Sequence, residues 1–408
     1  MSQSLLINPT ALESGIEAAF LARAGISEAS RDAFARFAQT GLPNRRVEGW
    51  RWSDFSAGGR APDAANDGVA TADHVLFAEA DFVRIEIKGG AIETPAEEIN
   101  GLALSVEPAA SLPQAFDSHP LAALNAAFTD HVLVLRVAPG AKLEKPIHIR
   151  HAFAGDEPQA TRVHIDIGEG ATATIIETYQ GYGAFYSALG SANIDAKATL
   201  TRYVLNDTHS RSIIHGAFQA DLHQEAHLGG VSLSTGAALA RHETTLDCVR
   251  GAASCDIKSA ALVDGVRHSD FTSLVRFAGP DCETRQTHKG VARDKGRNVF
   301  QGKFLVERPA QKTDAQMRAD ALLLSDMADA NHKPELEIYA DDVECAHGSA
   351  CGALDEDALF YMRQRGLDLG EARALLIAAF VGDVIDDIED EAVQVAFRQI
   401  IDAWLGQS

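Results

Sequence analysis

The chain has 408 residues, with 58 Asp and Glu side chains against 36 Lys and Arg, and therefore a formal net charge of −22. Nucleic-acid-binding proteins neutralise phosphates with clustered basic residues, so this charge balance argues against nucleic acid and against an anionic membrane surface as partners. Hydrophobic residues make up 46% and charged residues 23% of the composition, as in ordinary globular proteins. The chain can therefore bury a substantial core.

The first residues and the apolar runs indicate where the protein resides. Residues 1–5 lack the features of an export signal, and the longest apolar run, 374–381, is well short of the ~20 residues that a membrane helix needs. We therefore expect a cytoplasmic protein that contacts no membrane. Its five cysteines are Cys248, Cys255, Cys282, Cys345 and Cys351. We expect free thiols, because the cytoplasm is reducing.

Residues 1–74 are predicted to form an N-terminal helical region and a linker. Thr10 and Glu13 have the spacing of a capping box, in which a hydroxyl and a carboxylate each bond an otherwise unpaired amide of the first turn. A second helix is expected from about Ser27. The stretch 56–73 is rich in Gly, Ala, Asp and Pro, which is typical of a linker.

Residues 75–350 have the pattern of β-structure. Short runs that alternate apolar and polar side chains, such as 83–87 and 163–167, are separated by Gly, Asn and Asp. These breaks leave little room for crossover helices, so a sandwich or a stacked solenoid remains. Similar units that begin at Gly170 and Lys197 start 27 residues apart, which favours the solenoid.

Residues 351–408 return to a helical pattern. Asp355 and Asp368 place negative charge at two helix starts, and Gly366 is suited to a helix end. Apolar residues then recur at helical spacing over 391–404. On pattern alone we favour packing of this apolar face on the rest of the chain over the docking of a partner.

Common enzyme signatures are absent from the sequence. It contains no G-x-x-x-x-G-K-[ST] phosphate loop, no G-x-G-x-x-G after a strand, and no G-x-S-x-G, H-E-x-x-H or paired C-x-x-C. We therefore expect that the chain does not bind nucleotide by itself.

Cys345 and His347 form the strongest candidate for metal chemistry. Side chains of an extended segment alternate with period two, so Val343, Cys345 and His347 point to one face. A thiolate and an imidazole suit zinc, iron or iron with sulfide. Two ligands do not complete a site, so the others would come from elsewhere in the chain or from another subunit. The alternative is a structural role, because buried Cys often serves as a small hydrophobic residue.

Other polar clusters have a functional and a structural interpretation. Asp341 and Asp342 could be acid/base carboxylates of a carbohydrate-active solenoid, although a solvated turn is favoured. Residues assigned to the solenoid interior are Cys248, Cys255 and His242. A turn and an exposed, charged edge are expected at Cys282, His268, His288, Lys289, Arg293, Lys295 and Arg297. The aromatic residues Trp50 and Trp52 are expected to anchor the N-terminal helices.

Several C-terminal segments resemble the SufB/SufD family of the SUF iron–sulfur cluster assembly scaffold. In order, they are AQKTDA at 310–315, ALLLS at 321–325, KPELEIYADDV at 333–343, CAHG at 345–348 and LFYMRQRG at 359–366. The segment VEGWRW at 47–52 is similar to the family's Glu-x-Trp-Arg motif. SufB members carry Glu-His-Glu-Ala where this chain has CAHG, so the resemblance favours the SufD branch.

This resemblance implies a fold, partners and a role. The fold is a right-handed parallel β-helix between N-terminal and C-terminal helical regions. The chain would be a non-catalytic scaffold subunit that pairs with SufB through the β-helix and docks the SufC ATPase through its C-terminal helices. His347 matches a family histidine implicated in cluster assembly at the SufB interface, and Cys345 ranks below it. The iron or iron–sulfur cluster would be transient and shared with SufB, with none bound tightly by this chain alone.

Two alternatives remain open from the sequence. One is a self-sufficient, carbohydrate-active β-solenoid enzyme that uses Asp341 and Asp342. The other is a scaffold that works as a SufB-like homodimer. Cys351 lies where relatives need not have Cys, and the sequence gives it no role.

Overall fold

The computed structural model describes residues 5–58, 76–77, 80–109, 116 and 119–406, so most of the predicted linker at 56–73 lies outside the described residues. The chain begins with α1 (Ala11–Ala22), α2 (Glu28–Thr40) and a short 3-10 turn at Glu48–Trp50. The predicted helix starts are confirmed, because α1 begins at a Thr10–Glu13 capping box and the Ser27 side chain caps α2.

The middle of the chain consists almost entirely of strands. They are β1 (Val83–Lys88), β2 (Ala91–Glu93), β3 (Leu102–Pro108), β4 (His131–Val137), β5 (Ile147–Phe153), β6 (Gln159–Ile167), β7 (Thr172–Gly181), β8 (Tyr186–Ile194), β9 (Thr199–Thr208), β10 (Ile213–Leu222), β11 (His227–Ser234), β12 (Leu239–Cys248), β13 (Ser254–Val263), β14 (His268–Phe277), β15 (Glu283–Ala292), β16 (Arg297–Val306), β17 (Asp314–Leu323), β18 (Asp329–Ile338) and β19 (Glu344–Gly352). A helix, α3 (Ala122–Phe128), precedes β4.

The strands form a parallel β-solenoid with two sheets. From β4 onwards, odd-numbered strands stack in one sheet and even-numbered strands in the other, so each coil adds one strand to each sheet. Thr172 pairs with Thr199, and Thr199 pairs with His227, which confirms the repeat expected from the sequence. Glu283 pairs with Asp314, 31 residues later, so the coil length drifts along the chain. The mainly β, solenoid fold with helices at both ends is thus confirmed, and the sandwich is excluded.

The interior of the solenoid is a continuous apolar core. Its strands contribute inward-facing aliphatic and aromatic side chains, such as Ile165, Leu200 and Phe277, which are fully buried. Cys248 and Cys255 lie in the same core, which confirms the interior position expected for them. Close packing of these side chains fixes the positions of the strands along the solenoid.

The two ends of the solenoid differ. At the N-terminal end, β2 pairs antiparallel with β1, and β3 pairs antiparallel with β4. At the other end, β18 and β19 are the last strands of their sheets. Within the part of the chain that the structure describes, no further strand pairs with either of them. The C-terminal coil therefore presents an open end.

Three C-terminal helices pack beside the solenoid: α4 (Glu356–Gln364), α5 (Leu369–Ile385) and α6 (Glu391–Leu405). Asp355 caps α4, and Asp368 begins α5 with a capping box, as predicted from the acidic helix starts. Helix α5 contacts β13 and β15, and α6 contacts β9. No helix among the described residues combines the length and apolar character required to cross a membrane.

Basic side chains of the solenoid hold these helices in place. The Lys289 ammonium lies 2.8 Å from the Asp383 carboxylate on α5. The Arg293 guanidinium stacks 4.0 Å from the Trp404 ring on α6 and donates to the Trp404 carbonyl. Stacking between a guanidinium and an aromatic ring is strongest where both are shielded from water.

The expectation of an exposed, charged edge is wrong for most of its residues. That prediction covered Cys282, His268, His288, Lys289, Arg293, Lys295 and Arg297. Only Lys295 of these is exposed. His288 and Lys289 are buried within β15, and Cys282 is buried just before it. The physical reason is that the opposite sheet, through Phe271 and Phe300, covers the interior face of β15, while α5 covers its outer face.

Trp50 anchors the N-terminal region to the solenoid, as expected for this motif. Its buried ring stacks 4.1 Å from the Arg241 guanidinium, which also forms a fully buried ion pair with Asp270 on the next coil. The same ring packs in the cluster that holds the aromatic residues of α2. Glu48 extends the contact towards the open end through an ion pair with Lys333 on β18.

Trp50→Ala should destabilise the protein by about 3–5 kcal/mol, because truncation of a buried Trp leaves a cavity. Urea unfolding followed by circular dichroism measures this change. Trp52→Ala is the matched control, since Trp52 is only half-buried, and it should cost clearly less free energy of unfolding. Equal effects of the two substitutions would contradict the anchoring role of Trp50.

The free energy of unfolding should decrease as the pH falls below about 6.5. Burial lowers the pKa of His148, His242 and His288 to about 3 and that of His215 to about 4. As the pH falls, the unfolded chain takes up protons near the ordinary value of 6.5 and the folded chain does not, so stability is lost between that value and the folded pKa values. Each histidine adds a slope of about 1.4 kcal/mol per pH unit.

Urea unfolding at several pH values between about 7.5 and 5 measures how the free energy of unfolding depends on pH. His288→Gln should make it shallower by about 1.4 kcal/mol per pH unit, whatever its effect on absolute stability. His131→Gln is the control, because His131 is exposed on β4. A His288→Gln slope equal to that of the unsubstituted chain would contradict the burial argument.

Candidate functional site

The last strand of the solenoid carries both candidate ligands on one face. In the ladder between β17 and β19, Cys345 pairs with Ala315 and His347 pairs with Met317. Ala315 and Met317 are buried in the core, and paired residues of a parallel ladder point to the same side of the sheet. Cys345 and His347 therefore lie on the interior side of β19.

The two candidate ligands differ in exposure. Cys345 is half-buried and packs against the end of the apolar core, whereas His347 is exposed. The difference follows from position, because β19 ends its sheet and no described coil lies beyond it. His347 is therefore accessible to a partner at the open end.

The thiol of Cys345 is held in its neutral form. Burial raises its pKa above the ordinary value, and the nearby Asp314 carboxylate acts in the same direction. Metals bind thiolate, so a metal at this site must displace the thiol proton. In the chain by itself this lowers the affinity of Cys345 for metal.

His332 on β18, also near the open end, was not singled out from the sequence. His332 pairs with Phe300 of the core in the ladder between β16 and β18, so its side chain faces the interior. Its Nδ1 lies 2.9 Å from the Ser349 hydroxyl of β19. Its Nε2 is buried and makes no hydrogen bond. Burial lowers the pKa of His332, although the Asp320 carboxylate and a backbone carbonyl favour its protonation. The only sequence signal was the period-two spacing of His332 with inward-facing residues of β18.

The remaining residues near this end have simpler environments. Cys351 also lies on β19, where it is exposed and pairs with Ala321. Asp341 and Asp342 are exposed in the turn between β18 and β19, where the backbone of Asp342 bonds to the preceding coil. This position matches the solvated turn favoured from the sequence.

A second group of possible metal ligands lies under the N-terminal region. Nitrogen and oxygen atoms of His119, His215 and Glu243 all lie within 4.8 Å of one another. This group was not predictable from the sequence, because its members are far apart in the chain and come from a connecting segment, β10 and β12.

Hydrogen bonds within this group fit a structural network better than a metal site. The backbone N–H of Leu121 donates to Nδ1 of His119 at 3.1 Å, so the proton of the neutral ring is on Nε2. That Nε2 lies 3.0 Å from Oε1 of Glu243 and donates to it, which leaves no lone pair for a metal. Arg241 also bonds Glu243, and this neighbouring cation lowers the pKa of the carboxyl well below its usual range.

Comparisons with known proteins bear on the role of the chain. The family described as SUF system FeS cluster assembly, SufBD core domain, matches residues 150–380. The iron–sulfur cluster assembly protein SufD of Escherichia coli is 29% identical over 387 residues, which cover 90% of each chain. A SufBD family protein of Synechocystis is 28% identical over 88% of this chain and 87% of its own length.

SufD of Bacillus subtilis is also similar, with 25% identity over 70% of this chain and 67% of its own length. The family match includes the solenoid from β5 and extends into α5. The chain therefore belongs to the SufBD core family of the SUF system, as a SufD-like protein with a role in iron–sulfur cluster assembly.

Proposed function

We propose that this chain is a non-catalytic cytoplasmic scaffold subunit that joins a SufB-type subunit through its last coil and a SufC-type ATPase through its C-terminal helices. In this proposal Cys345 and His347 contribute to an iron–sulfur cluster that assembles between the two scaffold subunits. The observation that carries the proposal is the open C-terminal end of the solenoid, where both ligands lie on the interior face of the last strand.

The edge of β19 is suited to pairing with another chain. Natural proteins protect exposed sheet edges with charged side chains, proline or bulges. Strand β19 has the sequence ECAHGSACG, with Glu344 at its first position and no Lys, Arg or Pro along its length. Strand addition by a partner would satisfy the free backbone groups and bury the edge.

Apolar side chains near the end of the solenoid add to this argument. Met327, Ile338 and Tyr339 are all exposed, on and beside β18. Large apolar and aromatic residues of this kind are enriched in the centres of protein interfaces. A SufB-type chain with a matching open end would cover them while it extends both sheets.

Shared ligands suit a cluster that has to be released. Cys345 binds metal only after it loses a proton, and His347 is exposed to solvent. Ligands from the facing subunit would complete the coordination and raise the affinity. Separation of the subunits would then lower the affinity again, which allows transfer of the cluster.

The C-terminal helices offer a separate docking surface. Exposed apolar residues on the helices are Phe360, Tyr361, Leu369, Leu375 and Val395. The opposite face of α5 packs on the solenoid through Ile377 and Val381, so these outer residues remain available to another protein. An ATPase partner would supply the nucleotide site for which the sequence has no motif.

His347→Ala should lower the yield of cluster on the complex with SufB- and SufC-type partners at least about tenfold, as expected for loss of a ligand. Anaerobic reconstitution followed by iron, sulfide and absorption measurements gives the yield. Cys345→Ala should have a smaller effect, with Cys351→Ala as its matched control. His131→Ala is the control for His347, because His131 is exposed at the other end of the solenoid. An unchanged yield with His347→Ala would reject the role.

Phe360→Ala combined with Tyr361→Ala should weaken binding of the ATPase partner at least about tenfold, or about 1.4 kcal/mol, because aromatic anchors dominate interface energies. Calorimetry with the purified ATPase measures the affinity. Leu21→Ala is the control, since Leu21 is similarly exposed but lies on α1. Equal affinity of the double variant and the control would contradict docking on this face.

The open end is also compatible with pairing of two copies of this chain. Mass measurement of the chain alone and of its mixture with a SufB-type subunit distinguishes the two arrangements. The proposal predicts that the heterodimer replaces any homodimer. A homodimer that persists in the mixture would favour the SufB-like, self-paired scaffold.

A further inference from the structure

We propose that an acidic rim around the open end of the solenoid selects the partner that binds there. The rim consists of the turn and outward-facing residues of the last coil, 324–352. It favours a sister solenoid whose facing coil is basic, and it disfavours a second copy of this chain. This inference rests on the proposed function, because it takes the open end as the subunit interface, and it specifies the chemistry of the partner.

The last coil is far more acidic than the coil on which it stacks. Residues 324–352 contain seven Asp and Glu residues but a single Lys or Arg, which is Lys333. The preceding coil, residues 293–323, contains four acidic and seven basic residues. The negative charge at the open end is therefore a local feature and does not simply reflect the average composition of the chain.

The acidic side chains surround the open end and leave its centre uncharged. Glu335 and Glu337 lie an odd number of residues from the inward-facing His332, and Glu344 precedes the inward-facing Cys345, so all three point outward. The inward-facing positions of β18 and β19 contain no Asp, Glu, Lys or Arg. A charged rim around a less polar centre is the usual arrangement of a protein interface.

Ion pairs compensate only part of this charge. Three of the carboxylates pair with basic residues of β16 and β18, and the pairs are Asp329–Arg297, Glu335–Lys333 and Glu337–Lys303. The other four acidic residues are Asp326, Asp341, Asp342 and Glu344, which are all exposed. Within the described part of the chain, no Lys or Arg forms an ion pair with these four. An incoming subunit therefore meets a surface with excess negative charge.

Two copies of this chain that met through their open ends would bring two acidic rims together. Identical subunits related by a two-fold axis use the same surface on both sides of the interface. Like charges that face each other across an interface slow the encounter and weaken the complex. A sister solenoid with Lys and Arg around its own open end would instead be attracted. The rim can thus select the partner without contacting the cluster.

Asp341→Asn combined with Asp342→Asn tests the proposal, because both side chains are exposed in a turn and neither is a proposed ligand. Glu97→Gln combined with Glu98→Gln is the matched control, since it removes two exposed carboxylates just before β3, at the other end of the solenoid. Interferometry with a full-length SufB-type subunit gives the association rate and affinity. Sedimentation gives self-association of the full chain, and each measurement is made at about 50 mM and about 500 mM NaCl.

Salt should act on the two kinds of pairing in opposite directions, because it screens attraction and repulsion alike. We expect the association rate with the SufB-type subunit to fall at least about threefold between the two salt concentrations. The Asp341/Asp342 double variant should associate at least about twofold more slowly at low salt and depend less on salt. Self-association should become stronger at high salt and in this double variant. The control variant should match the unsubstituted chain in both assays.

Several results would contradict selection by charge. They are an association rate that does not fall with salt, equal rates for the double variant and its control at low salt, and self-association that weakens as salt is added. Thermal midpoints establish that each variant is folded. Asp326→Asn combined with Glu344→Gln provides a second, independent pair of substitutions, and it should change the rates in the same direction.

Failure of this inference can be distinguished from failure of the proposed function. A heterodimer that assembles cluster but associates independently of salt would refute selection by charge and leave the shared site intact. Absence of a heterodimer at either salt concentration would refute both. With saturating partner, the Asp341/Asp342 double variant should give the unsubstituted cluster yield, because no proposed ligand is lost. A lower yield under that condition would show that these carboxylates act on the cluster and would reject their assignment to partner choice.

Discussion

The last coil of a parallel solenoid leaves a row of backbone donors and acceptors without partners on each of its two sheets. In this protein that constraint falls on β18 and β19, which end the two sheets. The inward-facing side chains of the same coil are also only partly covered, so Cys345 and His347 lie where a second molecule can reach them. In the function that we propose, the need to complete a sheet and the need to complete a coordination sphere coincide at this surface.

The helical regions leave this surface free because polar contacts hold them at the sides of the solenoid. Lys289 and Arg293 fix the C-terminal helices against the outer face of one sheet. On the other sheet, Trp50 stacks on Arg241, whose charge is compensated by Asp270. Removal of one partner from such a buried pair leaves an uncompensated charge, which is strongly destabilising. The same contacts that stabilise the chain thus keep the end of the solenoid open.

Features that depend on neighbouring residues were predictable from the sequence. The helix starts at Thr10 and Asp368 follow from capping within one turn, and the shared face of Cys345 and His347 follows from strand periodicity. Contacts between distant segments were not predictable. The bond from His332 to Ser349 joins the two sheets across 17 residues, and the burial of Lys289 depends on a helix nearly a hundred residues later. The drift in coil length also conceals the later repeats, because no fixed period aligns them.

Hydrogen exchange of the backbone amides in β18 and β19 tests the central claim most directly. The chain alone, at a concentration at which it is monomeric, is compared with its complex with a SufB-type subunit. Strong additional protection over Asp329–Ile338 and Glu344–Gly352 in the complex is the predicted result, since those strands would gain neighbours. Unchanged exchange in both strands, with new protection elsewhere on the chain, would contradict the claim that this end of the solenoid is the subunit interface.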